Sequence, residues 1–237
     1  MEDLCQLPDI TRITARLLLK LEEGGEQQSE PLPFSEGERS FLELESHADK
    51  IEEGDPCARQ VFDSLTELIP AATGSWQHFK QVYGRLIINS FEISGQYDEK
   101  LGWALYIAPS ILDHSCVPSA EVDFQGKNII IKSRVRMRAR DLSKNSICFI
   151  DRTQTFTERQ ETLSRQFQIR TCSCSLCRDL VLLTGRISSV LSRGLGGQKV
   201  SRCLVSCLEQ HVTGKDRDYF RSVRWGDIHF ITELKIS

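Results

Sequence analysis

Three cysteines crowd into six residues, Cys172-Ser173-Cys174-Ser175-Leu176-Cys177, and this C-x-C-x2-C run constrains the chain more than any other feature. Thiols packed so closely are either free groups at a helix end or metal ligands. Zinc takes four thiolate or imidazole ligands at tetrahedral corners, and closely spaced cysteines supply three of them from one tight loop. A structural site is closed, so a fourth ligand must come from elsewhere. Cys116, in Asp113-His114-Ser115-Cys116-Val117-Pro118, is the best candidate, because its Pro-bounded turn holds the side chain rigidly. Cys148 falls in an expected strand and reads as core. Cys203 and Cys207 stand at i,i+4 on an apolar helical face and read as buried hydrophobes. Nine cysteines in all, an odd number unevenly spaced, do not describe a secreted disulfide scaffold. A reducing compartment, cytoplasm and/or nucleus, is expected.

Other classes fall away on charge and hydropathy. Thirty basic against 33 acidic residues give a net charge of -3, which argues against binding bulk nucleic acid. No apolar run approaches the ~20 residues of a membrane span. The opening Met1-Glu2-Asp3-Leu4 is acidic and is not a signal peptide.

Along the chain, Ile10, Ile13, Leu17, Leu18 and Leu21 repeat at helical spacing, stopped by Gly24-Gly25. Residues 24–38 read as a polar loop, and Phe41, Leu42 and Leu44 begin a short ordered segment. Val61, Phe62, Leu65, Leu68 and Ile69 form a second stripe ending at Pro70. Ser75 caps a third, carrying Trp76, Phe79, Val82, Tyr83, Leu86 and Ile87. Residues 121–124 and 128–132 predict a hairpin about Gln125-Gly126-Lys127. Ser133–Arg140, alternating arginines with Val135, Met137 and Ala139, suits a half-buried edge strand. Ser146–Asp151 predicts one more strand, and Thr155-Phe156-Thr157-Glu158 is a capping box for a helix through Leu163 and Phe167. The fold class expected is α+β.

Several of these residues, in order, resemble the SET and MYND domain family of protein lysine methyltransferases. The family writes Asn-Ser-Phe, then Asn-His-Ser-Cys-x-Pro-Asn, then a Gly-Glu-Glu…Tyr element, then Cys-x-Cys-x2-Cys. This chain has Asn89-Ser90-Phe91, Asp113-His114-Ser115-Cys116-Val117-Pro118-Ser119, Ile147-Cys148-Phe149 and the cysteine run. Leu44-Glu45-Ser46-His47 is similar to a Leu-x-Ser-His segment of the family's insert.

The resemblance implies a small SET-type β core with a helical insert over 1–85, the C-terminal part of SET over 86–151, and a post-SET zinc loop over 152–178. A short helical segment of unknown role follows over 179–237. It implies S-adenosylmethionine as cofactor, structural Zn2+ on Cys116, Cys172, Cys174 and Cys177, and a protein substrate with a target lysine. Neither a membrane nor a specific nucleic acid is implied as partner. Cofactor contacts carry over to Glu45, His47, Asn89, Ser90, Ser110, Ile111, Leu112, Asp113, His114 and Phe167. Phe91 would line the lysine channel, and Phe149 stands at the family's catalytic tyrosine. Read without the family, Phe91, Phe167 and Ile169 are ordinary core.

Departures from the pattern bear on activity. No Gly-x-Gly turn stands ahead of the helical region, and no second Cys/His cluster of MYND type accompanies it. Asp113 replaces an asparagine, Phe149 lacks the tyrosine hydroxyl, and Asp141-Leu142-Ser143-Lys144 occupies the Gly-Glu-Glu stretch. The expectation is a methyltransferase-like chain of weak activity, or alternatively a catalytically inactive, zinc-stabilised, SET-derived interaction module. A zinc-ribbon nucleic-acid binder would need a second Cys pair and a basic surplus.

Overall fold

Local signals account for most helix boundaries in the computed structural model, which describes residues 7–32, 36–95, 100–134, 145–179 and 229–232. Helix α1 (Asp9–Glu22) ends where Gly24 takes φ +91°, a conformation open to glycine. Helix α2 (Pro56–Leu68) starts with Pro56 in its first turn, and the Asp55 carboxylate accepts the Ala58 N–H at 2.8 Å. Pro70 opens the one-turn α3 (Pro70–Thr73). Ser75 caps α4 (Trp76–Asn89), and the Thr155–Glu158 box starts α5 (Phe156–Phe167).

The helices enclose a first core of Leu18, Phe41, Leu44, Val61, Leu65, Phe79, Val82 and Leu86 with their neighbours. A run of rings, Phe62–Trp76–Phe79–Tyr83, joins α2 to α4 at centroid spacings of 5.1–5.5 Å. The buried face of α1 is rotated from the apolar stripe expected. Thr11, Thr14 and Ala15 go inside with Leu18 and Leu21, while Ile10, Ile13 and Leu17 are half-buried. Thr14 tolerates full burial because its hydroxyl donates to the Ile10 carbonyl at 2.6 Å.

Among the described residues, four small sheets follow the chain. Strands β1 (Ser29–Pro31) and β2 (Glu38–Ser40) pair within the segment read as loop. Strands β3 (Ser90–Ser94) and β4 (Lys100–Leu105) pair antiparallel. The two-residue strand β5 (Asp113–His114) pairs in parallel with β8 (Ser146–Ile147). The expected hairpin is β6 (Ala120–Gln125) and β7 (Asn128–Ser133), turned at Gly126-Lys127 with Gly126 at φ +61°. The buried Tyr106 donates its hydroxyl to the Lys127 carbonyl at 2.6 Å and ties that turn down.

Residues 229–232 pair with β7 as strand β9 (His229–Thr232), where a helical segment was expected. Cys203 and Cys207, and positions 135–140 of the arginine strand, lie outside the described residues. Tyr106, Leu112, Ala120, Ile129, Ile131 and Ile147 make a second core. A third gathers Leu163 with Cys116, Cys172 and Cys177. The mixture of helices and small sheets is α+β.

Glu30, on β1, accepts the Ala108 N–H at 3.2 Å, and burial raises its pKa above the usual carboxylate value. A raised acid holds its proton more tightly when folded, so stability falls as pH climbs from the unfolded value through the raised one. Glu30→Gln keeps an acceptor and removes the charge. Its thermal midpoint should exceed that of the parent at pH 7.5, with the gap closing at pH 4; a constant gap would count against the linkage.

Candidate metal centre

The Cys116 turn is placed by the β5–β8 pairing. The Ser115 N–H continues that ladder to the Ile147 carbonyl at 2.9 Å, and Ser119 and Ser146 exchange backbone-to-hydroxyl bonds at 3.3 and 2.9 Å. Cys172, Cys174 and Cys177 arrive from the other side. Gln168 ends α5 in the left-handed conformation, φ +57°, and its neighbour Ile169 donates back to the Leu163 carbonyl. The chain then turns into the cysteine loop.

The four sulfurs lie within 4.8 Å of one another. Cys116 Sγ is 3.9 Å from Cys172 Sγ and 3.6 Å from Cys177 Sγ. Four sulfurs at about 2.3 Å from a common zinc would stand about 3.8 Å apart, so the cluster already has the dimensions of a tetrahedral thiolate site. Cys116, Cys172 and Cys177 are buried and Cys174 is half-buried. Their protons are shared: the bond to Cys172 pushes the Cys116 thiol up, and the same bond holds Cys172 down. Cys174 is pulled down to about 6, chiefly by Cys116. The cluster can hold a metal ion. Six cysteines among the described residues are free. Cys148, expected in core, is half-buried outside the cluster, its thiol donating to the Ile150 carbonyl at 3.1 Å.

His114 touches the cluster without belonging to it. The Phe149 N–H donates to His114 Nδ1 at 3.1 Å, so a neutral ring carries its proton on Nε2, which lies 3.4 Å from Cys116 Sγ. Both ring nitrogens are engaged within the chain. The same bond explains why β8 stops at Ile147 instead of reaching Asp151: the Phe149 N–H has found a side chain.

A second group of the expected site residues collects beside α4. Gln81, Arg85 and Asn89 stand at i, i+4, i+8. Gln81 Oε1 accepts from the Ser46 hydroxyl at 3.1 Å, Arg85 donates to the Leu42 carbonyl at 3.1 Å, and the Asn89 amide donates to the Glu45 carbonyl at 2.8 Å. Gly84 permits this approach, since a Cβ there would meet the Ser46 carbonyl oxygen at 2.2 Å. Glu45 lies exposed, 3.7 Å from the His47 ring. The Ser110 hydroxyl reaches the Asn89 carbonyl at 3.3 Å, so 110–114 runs from this group to His114. Asp113 is exposed, Ile111 half-buried and Leu112 buried. The carboxylates of Glu45 and Asp113 are suited to a cationic ligand.

The aromatics divide between two cores. Ser90 and Phe91 begin β3, where half-buried Phe91 meets Tyr106 edge-on at 5.8 Å. Phe149 is flanked by His114 at 5.3 Å and Phe167 at 5.1 Å. A groove of about 310 Å³ between α1 and β4, lined by Arg12, Arg16, Lys20 and Trp103 among others, contains none of the expected site residues.

Gln160 was missed from sequence. Its amide accepts the Cys172 N–H at 2.9 Å and donates to Cys177 Sγ at 3.5 Å. The signal existed, because Phe156, Gln160, Leu163 and Phe167 share one helical stripe and Gln160 is its polar member.

No family model matches the chain. It is 27% identical over 202 residues to the human protein "Histone-lysine N-methyltransferase SMYD3", a match covering 75% of this chain and 42% of the relative. The mouse protein of the same name matches at 27% over 194 residues with the same coverage. The chain is a distant relative of the SET and MYND domain methyltransferases. It spans less than half the length of these curated relatives. No helix among the described residues is long and apolar enough to cross a membrane.

Proposed function

We propose that the chain works as a SET and MYND type, S-adenosylmethionine-dependent protein-lysine N-methyltransferase, with one structural zinc on Cys116, Cys172, Cys174 and Cys177. Residues 1–85 would form the helical insert, 86–151 the C-terminal part of SET, 152–178 the zinc loop and 179–237 an appended segment of unassigned role. A reducing cytoplasm and/or nucleus suits the free thiols. The observation that supports the reading best is the chain of contacts Glu45–Asn89–Ser110, continued through 110–114 to His114, Phe149 and Phe167, beside a four-thiol cluster.

The cofactor supplies an electrophilic methyl group when bound. The Glu45 and Asp113 carboxylates would receive its ammonium, and Asn89, Ser90, Ser110, His47 and the backbone of 111–114 would shape its seat. Phe91, Phe149 and Phe167 would surround the lysine side chain. Apolar walls favour the neutral amine that attacks, because desolvation lowers a lysine pKa. Holding the amine in line accounts for most of the acceleration such a site provides.

Phe149 favours a second reading, a zinc-stabilised interaction module without activity, because a ring edge cannot orient a methyl group as a hydroxyl does. Loss of one oriented donor costs roughly 10²–10³ in rate by analogy with oxyanion-site deletions. Calorimetric titration with S-adenosylmethionine separates the two. Micromolar binding supports the enzyme, whereas no heat at millimolar cofactor leaves the module. Where the cofactor binds, Phe149→Tyr should raise methyl transfer to a lysine peptide by about 100-fold.

A further inference from the structure

We propose that Gln160 and His114 form an outer sphere around the four-thiol centre, two side-chain N–H donors from separate elements that hold the metal in its site, an inference that rests on the zinc reading above. A divalent ion on four thiolates leaves two surplus negative charges in a largely buried place. Those charges need donors, because buried anionic sulfurs without them weaken the site. Among the described residues, two side chains supply them, beside the backbone N–H of Cys177 that bonds Cys174. Gln160, from α5, donates to Cys177 Sγ at 3.5 Å, and His114, from β5, faces Cys116 Sγ with protonated Nε2 at 3.4 Å.

Each donor is fixed by a second bond that sets its orientation. Gln160 Oε1 accepts the Cys172 N–H at 2.9 Å, so one amide spans both ends of the cysteine loop and its nitrogen must face the sulfur. His114 Nδ1 accepts the Phe149 N–H at 3.1 Å, which leaves the ring proton on the sulfur side. The two ligands reached are 61 residues apart in sequence, one on each side of the join. Through His114 the metal is linked in two steps to the backbone at Phe149. Gln160 and His114 are positioning residues.

The test uses the full chain loaded with zinc, and with cobalt(II) as a spectroscopic probe. Gln160→Glu keeps the acceptor for the Cys172 N–H but replaces the donor with a negative charge. Gln160→Met keeps the length and loses both bonds. Zinc release to a chromogenic chelator should show affinity weakened about 10–100-fold in Gln160→Glu, the range typical of lost outer-sphere partners. Gln160→Met should fall between it and the parent. The thiolate-to-cobalt charge-transfer band should shift in Gln160→Glu and in His114→Phe, a readout that mere loosening of α5 does not produce. Parent-like release and spectra in Gln160→Glu would overturn the donor role, even if Gln160→Met is impaired, since only the oxygen would then matter. A parent chain that carries no zinc would overturn the zinc reading and this inference together. One zinc in the parent with unchanged variants overturns this inference alone.

Discussion

A Cys116→Ser chain is expected to purify with less than a tenth of the zinc of its parent and to unfold at a markedly lower temperature. Cys116 is 1% exposed, and it is the thiol that joins the β5 turn to a loop 56–61 residues later. Serine nearly preserves the volume, so packing is not what is lost. The hydroxyl is a poor zinc ligand at neutral pH, and three thiols would be left crowded without a cation. Structural zinc contributes apparent binding energies of about 10–16 kcal/mol in small metal-dependent folds. Losing one of four ligands removes several of those, about 10³-fold or more in affinity. Among the described residues of the third core, Leu163 is the one fully buried side chain besides cysteine, with Ile150, Phe156, Phe167, Ile169 and Leu176 only half-buried around it. Elemental analysis and melting with and without chelator make the measurement. Cys57→Ser and Cys148→Ser, both outside the cluster, are the controls. One zinc per chain in Cys116→Ser with an unchanged melt would remove the four-thiol site from consideration.

Gly84→Ala should be the most damaging single methyl added to the helical half. Alanine gains about 1 kcal/mol over glycine inside a helix, which alone predicts stabilisation. The added carbon would stand 2.2 Å from the Ser46 carbonyl oxygen and 3.2 Å from its carbon, which is backbone and cannot rotate away. Overpacking of this kind costs about 1–3 kcal/mol. Displacing residues 42–48 also strips the bonds that Gln81, Arg85 and Asn89 make to them. A net loss of about 2 kcal/mol corresponds to roughly 4–8 °C in a chain of this size. Gly54→Ala, where a Cβ meets nothing within 4 Å, should be neutral. Because the moved segment holds Glu45 and His47, Gly84→Ala should also weaken any S-adenosylmethionine binding found. Equal melting of the two variants would show that the 42–48 segment yields freely.

What sequence reasoning recovered was what local chemistry encodes. Ser75 and Thr155 cap helices, Gly24 ends one, and Gly126 turns the hairpin, each through atoms a few residues away. The thiol cluster was also legible, since three ligands are adjacent and the fourth sits in a Pro-bounded turn. Long-range backbone pairing was not. β5 and β8 are two residues each, too short for any periodicity, and their partners lie 33 positions apart. Strand β3 alternates Phe91 and Ile93 with Ser90, Glu92 and Ser94, a period-two signal overlooked because Asn89-Ser90-Phe91 was read as a motif. The face of α1 misled because two threonines were charged as polar, although Thr14 bonds its own helix and packs inward.

The order of biosynthesis bears on the thiol cluster. Cys116 leaves the ribosome more than fifty residues before the first thiol it must meet, while the helical half, whose core draws on residues 10–107, is already translated. Until Cys177 emerges, a thiol destined for the interior stays open to oxidants and to wrong partners. Keeping the nascent polypeptide reduced until the last of the four thiols is out protects the cluster, and on the zinc reading the metal has to be at hand by then.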